Sequence, residues 1–159
     1  MSLVIESVTR DKLPRLEEGL YALAQDLNDP YRLESCTLER ALISDPPACS
    51  GALALDGDSL RGVALFSPLM STALGSPGVY VSDLWITPEA RGAGVGHVLL
   101  GWVAARASHL WGSGFMRLAA YEDNPRSIAF YERLGFTRPN GETSLRLSGA
   151  GFETLMRTT

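Results

Sequence analysis

The segment from Val79 to Leu100, VYVSDLWITPEARGAGVGHVLL, narrows the possible folds more than any other stretch. Tyr80 to Ile86 is rich in β-branched and aromatic residues, and Pro88 cannot donate to a ladder, so a strand is expected to end near Ile86. Arg91-Gly92-Ala93-Gly94-Val95-Gly96 follows. Beyond it, Val95, Val98, Leu99, Trp102 and Val103 recur at the i, i+3, i+4, i+7, i+8 spacing of a helix. A glycine-rich turn opening a helix leaves several backbone N–H groups unpaired at the positive end of the helix dipole. Such a turn can hold a phosphate or pyrophosphate. The same glycines can also serve only to pack a helix closely on a strand.

Three phosphate-loop patterns compete. A Walker A loop needs Gly-Lys-Ser/Thr after its second glycine, and this turn has none. A Rossmann G-x-G-x-x-G starting at Gly92 and Gly94 would place its third glycine at position 97, which is His97. The Rossmann loop also follows the first strand of its unit, whereas about three strands are expected before this one. The pattern that fits is R-x-x-G-x-G: Arg91, Gly94 and Gly96.

The chain of 159 residues is long enough for one domain with a sizeable core, and a single domain over 1–159 is expected. Hydrophobic residues make up 45% and charged residues 20%, as in an ordinary globular protein. A net charge of −4 argues against general nucleic-acid binding and is mildly compatible with a cationic substrate. No apolar run approaches the roughly 18 residues of a membrane span, and the N-terminus lacks a signal-peptide core. Cys36 and Cys49 make no disulfide framework, so a cytoplasmic protein with free thiols is expected.

Leu3 to Val8 reads as a strand. Asp11 is placed to cap a helix with Leu13, Leu16, Leu20, Leu23 and Leu27 on one face, ended by Asn28-Asp29-Pro30. Thr37 to Ile43 reads as a short helix. Ser50–Leu55 and Leu60–Met70 read as strands joined at Asp56-Gly57-Asp58. The helix after the glycine turn is expected to run to about His109 and stop before Gly112. Phe115–Tyr121 reads as a strand and Ser127–Leu134 as a helix. Phe136–Arg138 and Ser144–Ser148 read as closing strands around Pro139-Asn140-Gly141, and Phe152–Met156 as a short helix. The expected class is α/β of the α+β type, a mixed and mostly antiparallel sheet of about seven strands flanked by helices.

A second motif lies at Asn124-Pro125-Arg126-Ser127-Ile128-Ala129-Phe130-Tyr131-Glu132-Arg133-Leu134-Gly135-Phe136. Asn124 suits a helix cap, Pro125 a first turn and Gly135 a left-handed C-cap, so a capped amphipathic helix accounts for it locally. Yet N-x-x-S-x-x-F-Y-x-x-x-G-F, following an R-x-x-G-x-G loop, closely resembles the second motif of the GNAT (GCN5-related N-acetyltransferase) superfamily. The loop resembles that superfamily's coenzyme A loop, and the element order is the one the GNAT fold uses. The resemblance is weakest over residues 1–50.

The resemblance implies acetyl-CoA as cosubstrate and no metal. Main-chain groups of Leu84, Trp85 and Ile86 would pair with the pantetheine arm as an added strand. Backbone amides of Gly92, Ala93, Gly94, Val95, Gly96 and His97 would hold the pyrophosphate, with Arg91 adding charge. Asn124 and Ser127 match cofactor-contacting positions, and Tyr131 matches the tyrosine that protonates the departing thiolate. Tyr131 can otherwise be an interfacial aromatic with a satisfied hydroxyl.

Direct transfer to an amine also needs a base. Asp83 and Glu89 are the candidates, and strand alternation puts Asp83 and Trp85 on one face with Ser82, Leu84 and Ile86 on the other. Some relatives carry the acid one position earlier, where Ser82 stands here. Asp83 can equally be a buried carboxylate bonded to backbone N–H groups. His97 and His109 make no metal pair, and Cys36 and Cys49 read as small buried hydrophobes. Trp102 and Trp111 fit a core helix face. Tyr21, Tyr31 and Trp85 fit either an acceptor pocket or the core. The expected function is transfer of the acetyl group to a primary amine of a small molecule; the alternatives are transfer to a protein or peptide and a coenzyme-A-binding regulatory module without turnover. The resemblance also makes a homodimer an expectation. No nucleic-acid or membrane partner is expected.

Overall fold

A computed structural model describes residues 1–158. Two compact units make up the chain, Met1–Tyr121 and Glu122–Thr159.

The first unit holds a five-stranded sheet in the order β1-β2-β3-β4-β5: β1 Leu3–Ser7, β2 Ser50–Asp56, β3 Ser59–Ser71, β4 Ser76–Ile86 and β5 Phe115–Leu118. The first four strands pair antiparallel, and β4 and β5 pair parallel. β2 and β3 turn at Gly57, whose φ of 58° suits the residue without a Cβ. A parallel pair needs a crossover, and α3, Val95–Trp111, supplies it. The helix ends on Gly112 in the left-handed region, as its position predicts.

Each face of the sheet carries a helix. On one face lies α1, Leu13–Leu27, which buries Leu13, Leu16 and Leu20. They pack with Leu38 of α2 (Ser35–Ile43), Leu53, Val63 and Trp85. On the other, α3 buries Val95, Leu99, Val103 and Ala107, and its Trp111 meets Phe66 of β3 edge-on at 6.1 Å. Val98, expected on the buried stripe, is 52% exposed. Val95, Leu99 and Val103 of the expected stripe are buried, and Leu100 and Ala107 are buried beside them where Val98 is not.

Asp11 does not cap α1. It sits in a short 3-10 turn, Arg10–Lys12, where its carboxylate accepts the Thr9 hydroxyl at 2.5 Å, and Lys12 occupies the cap position. Cys36 is exposed and Cys49 half-buried, so neither is a buried hydrophobe; both thiols are free.

The second unit contains α4, Pro125–Arg133, and α5, Gly149–Met156. Phe136–Arg138 and Ser144–Ser148, expected as strands, join no ladder among the described residues, so the sheet has five strands rather than about seven. Pro139 lacks an N–H and most of the segment is exposed and polar, so it neither donates regularly nor buries a face. Leu145, Leu147, Phe152 and Leu155 are all exposed.

Candidate active site

A fault in the β3–β4 ladder shapes the site. Leu65 pairs with Asp83 and Phe66 with Val81, which leaves Ser82 as an extra residue without a partner. A one-residue bulge reverses which side chains face which way. Val79 and Val81 lie on the Phe66 side, toward α3. Asp83 and Trp85 turn with Leu65 and Val63 toward α1. The Ser82 hydroxyl donates to the Leu65 carbonyl at 3.3 Å across the fault. Pairing with β5 also stops here, at Val81 with Leu118. Leu84, Trp85 and Ile86 therefore lie on a stretch of β4 whose outer edge β5 leaves uncovered.

Asp83 faces a pocket of ≈ 210 Å³ walled by Leu20, Leu23, Tyr31, Leu33 and Leu65. Burial pushes the Asp83 carboxyl above the usual carboxylate range, and a hydrogen bond with Ser82 offsets part of that. The Tyr31 phenol is raised by burial and further by the charges of Glu17 and Asp83. The Cys49 thiol is raised by burial and by Asp83. Tyr21 supports the Tyr31 ring edge-on at 5.5 Å. Asp29, also in the pocket wall, accepts the Tyr121 hydroxyl at 2.8 Å.

Gly92 and Gly94 have φ of 81° and 82°. A Cβ at either would meet nothing, so backbone conformation and not crowding calls for glycine. The first bond of α3 runs from Val98 N–H to the Gly94 carbonyl at 3.1 Å. The amides of Val95, Gly96 and His97 precede it and have no intrahelical acceptor. Gly96 is buried and His97 exposed. Arg91 donates through Nε to the Ile86 carbonyl at 3.0 Å, and its guanidinium pairs with Asp26 of α1. Glu89 is exposed. The Thr87 hydroxyl and the Glu89 backbone N–H hold its carboxyl below the usual range, which makes it a weaker base than Asp83.

In the second unit, Asn124 caps α4 by accepting the Ser127 N–H at 3.2 Å. Phe130 and Phe136 flank the Tyr131 ring at 5.2 and 5.5 Å, and burial raises its phenol above the usual value. The phenol therefore stays protonated across the physiological range, the state a proton donor needs. Among the described residues no three His, Cys, Asp or Glu side chains converge as a metal site.

A family model described as the Acetyltransferase (GNAT) family matches residues 17–136. The chain belongs to the GNAT family. It is 31% identical over 102 residues to the thialysine N-epsilon-acetyltransferase of Sus scrofa, a match spanning 62% of this chain and 59% of that relative. An integron cassette protein from the mobile metagenome of V. cholerae shares the fold with a TM-score of 0.78 at 22% identity, covering 99% of both chains. An aminoglycoside acetyltransferase from an uncultured soil metagenomic sample shares it with a TM-score of 0.76 at 16% identity, over 92% of this chain and 95% of that one. A ribosomal-protein-alanine N-acetyltransferase from Brucella melitensis shares it with a TM-score of 0.74 at 18% identity, over 92% and 100% of the two chains.

Within the first unit of this GNAT chain, Asp83 and the uncovered part of β4 follow the bulge, and Arg91 of the glycine turn reaches back to the Ile86 carbonyl and Asp26. Of the aromatics, Tyr31 walls the pocket and Tyr21 backs it, while Trp85 belongs to the core. Sequence reasoning missed Asp26 and Asp29. Their partners Trp85 and Tyr121 stand 59 and 92 positions away, and nothing in the local pattern connects them.

Proposed function

We propose that this chain is an N-acetyltransferase that moves the acetyl group of acetyl-CoA to a primary amine of a small molecule, by direct attack in a ternary complex. The observation that carries this reading is the ≈ 210 Å³ pocket with the raised Asp83 carboxyl in its wall, on the strand whose outer edge opens at Ser82. A pocket of this volume suits a small acceptor better than the extended groove a peptide needs. The Sus scrofa relative is named for acetylating the ε-nitrogen of thialysine and the soil neighbour for acetylating aminoglycosides, and both names point to small-molecule amines.

Acetyl-CoA supplies the acyl group as an activated thioester. Main-chain groups of Leu84, Trp85 and Ile86 serve its pantetheine arm as one more strand. The amides of Gly92–His97 serve the pyrophosphate, and Val95, Gly96 and His97 fit that task because their N–H groups lack helical acceptors. Arg91 adds charge, and Asn124 and Ser127 make further contacts. Asp83 takes the proton of the acceptor ammonium, directly or through a water, and its raised proton affinity suits the task. The freed nitrogen lone pair attacks the thioester carbon, the C–S bond breaks, Tyr131 gives its proton to the departing sulfur, and the proton that the nitrogen sheds on becoming an amide returns the Tyr131 phenolate to its neutral form while Asp83 passes its proton to solvent. The products are an amide and a free thiol.

The whole chain acts as one domain, in the cytoplasm and without a metal. The exposed Leu145, Leu147, Phe152 and Leu155 support a homodimer, because a second copy would cover them. The deciding experiment measures thiol release from acetyl-CoA against a panel of amines. Turnover with one amine class, lost on Tyr131→Phe, supports the reading. Tight acetyl-CoA binding with no turnover on any amine, but turnover on peptides, indicates a protein acceptor. Binding without turnover on either indicates a regulatory module.

A further inference from the structure

We infer that the acceptor is a monoamine whose ammonium is the one charged group entering the Asp83 pocket, carried on a compact hydrocarbon body, a short alkyl chain or a single ring. This rests on the acetyltransferase reading and on that pocket as the acceptor site.

Size is the first ground. The pocket, at ≈ 210 Å³, lies below the roughly 300–1,000 Å³ typical of sites for drug-sized ligands. A multi-ring polycation does not enter it whole. The second ground is the wall chemistry. Leu20, Leu23, Leu27, Leu33 and Leu65 are five of its eleven lining residues. A hydroxyl turned against leucine gives up its bonds to water and finds no partner, whereas a CH₂ group gains from the same contact. A sugar-like body is therefore disfavoured and a hydrocarbon one favoured.

Charge is the third ground. Asp83 and Asp29 are the carboxylates of the wall and Arg32 its guanidinium, a net of −1, which one ammonium neutralises. Asp83 is the deeper carboxylate and has no cationic partner among the described residues. Asp29 already accepts the Tyr121 hydroxyl. A second ammonium would meet Arg32. A carboxylate on the acceptor would be drawn to Arg32 but repelled by both aspartates.

The test compares kcat/KM for thiol release with hexylamine, phenethylamine, 1,6-diaminohexane, 6-aminohexanoate and kanamycin, using the full chain. Hexylamine and phenethylamine are expected to exceed the other three by about tenfold or more, the discrimination that one unfavourable charge gives. Arg32→Glu changes an exposed side chain, so the variant is expected to fold. It is expected to shift the diamine-to-monoamine ratio toward the diamine by a similar factor. A wild-type preference for the diamine, the amino acid or the aminoglycoside, or equal rates with all five, overturns the inference while leaving the acetyltransferase reading intact. Absence of thiol release with every amine rejects a small-molecule amine acceptor, and the inference with it.

Discussion

One oxygen of Asp26, near the end of α1, accepts the indole N–H of Trp85, on β4, at 3.0 Å, and the Arg91 guanidinium shares it. A single carboxylate thus ties the helix that walls the pocket to the strand and to the arginine of the glycine turn. Trp85 is only 9% exposed, so its N–H depends on this partner. Asp26→Ala is expected to cost about 1–3 kcal/mol, the cost of orphaning a buried donor. In a Trp85→Phe background, where the donor is gone, the same change is expected to cost less. Urea unfolding of the two single variants and the double variant measures the coupling, expected to exceed about 0.5 kcal/mol. Strict additivity would mean that the indole finds water when Asp26 is removed.

Asp83 links catalysis and stability with opposite signs. Burial raises its pKa, so between the ordinary carboxylate value and the raised one the folded chain binds more protons than the unfolded chain. Stability therefore falls as pH rises through that window and stays lower above it. Asp83→Asn removes this term. The variant is expected to be at least as stable as wild type at neutral pH, with any advantage fading toward the ordinary carboxylate range. Its turnover is expected to drop by about 10²–10⁴, the usual contribution of a general base. In wild type the acid limb of kcat/KM should lie above the ordinary carboxylate range, because activity needs the deprotonated form. Tyr31 and Cys49, the other groups in Asp83's field, are both raised and stay protonated there. Thermal melts and pH–rate profiles of the pair test both signs.

Gly19, inside α1, lies flat against Val63 of β3. A Cβ there would stand 2.4 Å from one Val63 methyl and 2.6 Å from the other, and Val63 is fully buried. Helix propensity favours Gly19→Ala by up to about 1 kcal/mol. Overpacking a stiff β-branched neighbour costs about 1–3 kcal/mol, so the clash wins. The net expectation is a loss of up to about 2 kcal/mol by chemical denaturation. A stabilised variant would mean that α1 can lift from the sheet at little cost.

What could be read in the sequence was local. The glycine turn, the α4 cap at Asn124 and the stop at Gly112 each follow from residue types with their own backbone preferences, and each is found. The bulge at Ser82 was out of reach. Alternation along VYVSDLWI puts Val81, Asp83 and Trp85 on one face, and only the pairing register with Leu65 and Phe66 shows that the chain turns over between Val81 and Asp83. Phe136–Arg138 and Ser144–Ser148 failed as strands for the complementary reason: a ladder needs a partner, which local pattern cannot supply. Gly19 was passed over because a glycine inside a leucine stripe looks like a neutral gap until Val63 stands opposite.

Tyr131→Phe separates chemistry from packing. Phenylalanine keeps the ring between Phe130 and Phe136, so stability is expected to stay within about 0.5 kcal/mol of wild type. If the phenol protonates the departing thiolate, the variant loses about 10²–10⁴ in kcat. Its pH profile should change as well. Burial raises the wild-type phenol, so the alkaline limb that follows its ionisation lies above the ordinary tyrosine range, and activity falls as pH rises through the raised value. That limb should vanish with the hydroxyl. Thiol-release rates across alkaline pH, with urea unfolding as the control, read both effects. Retained kcat with an unchanged alkaline limb would assign the proton to another donor and leave Tyr131 a packing residue.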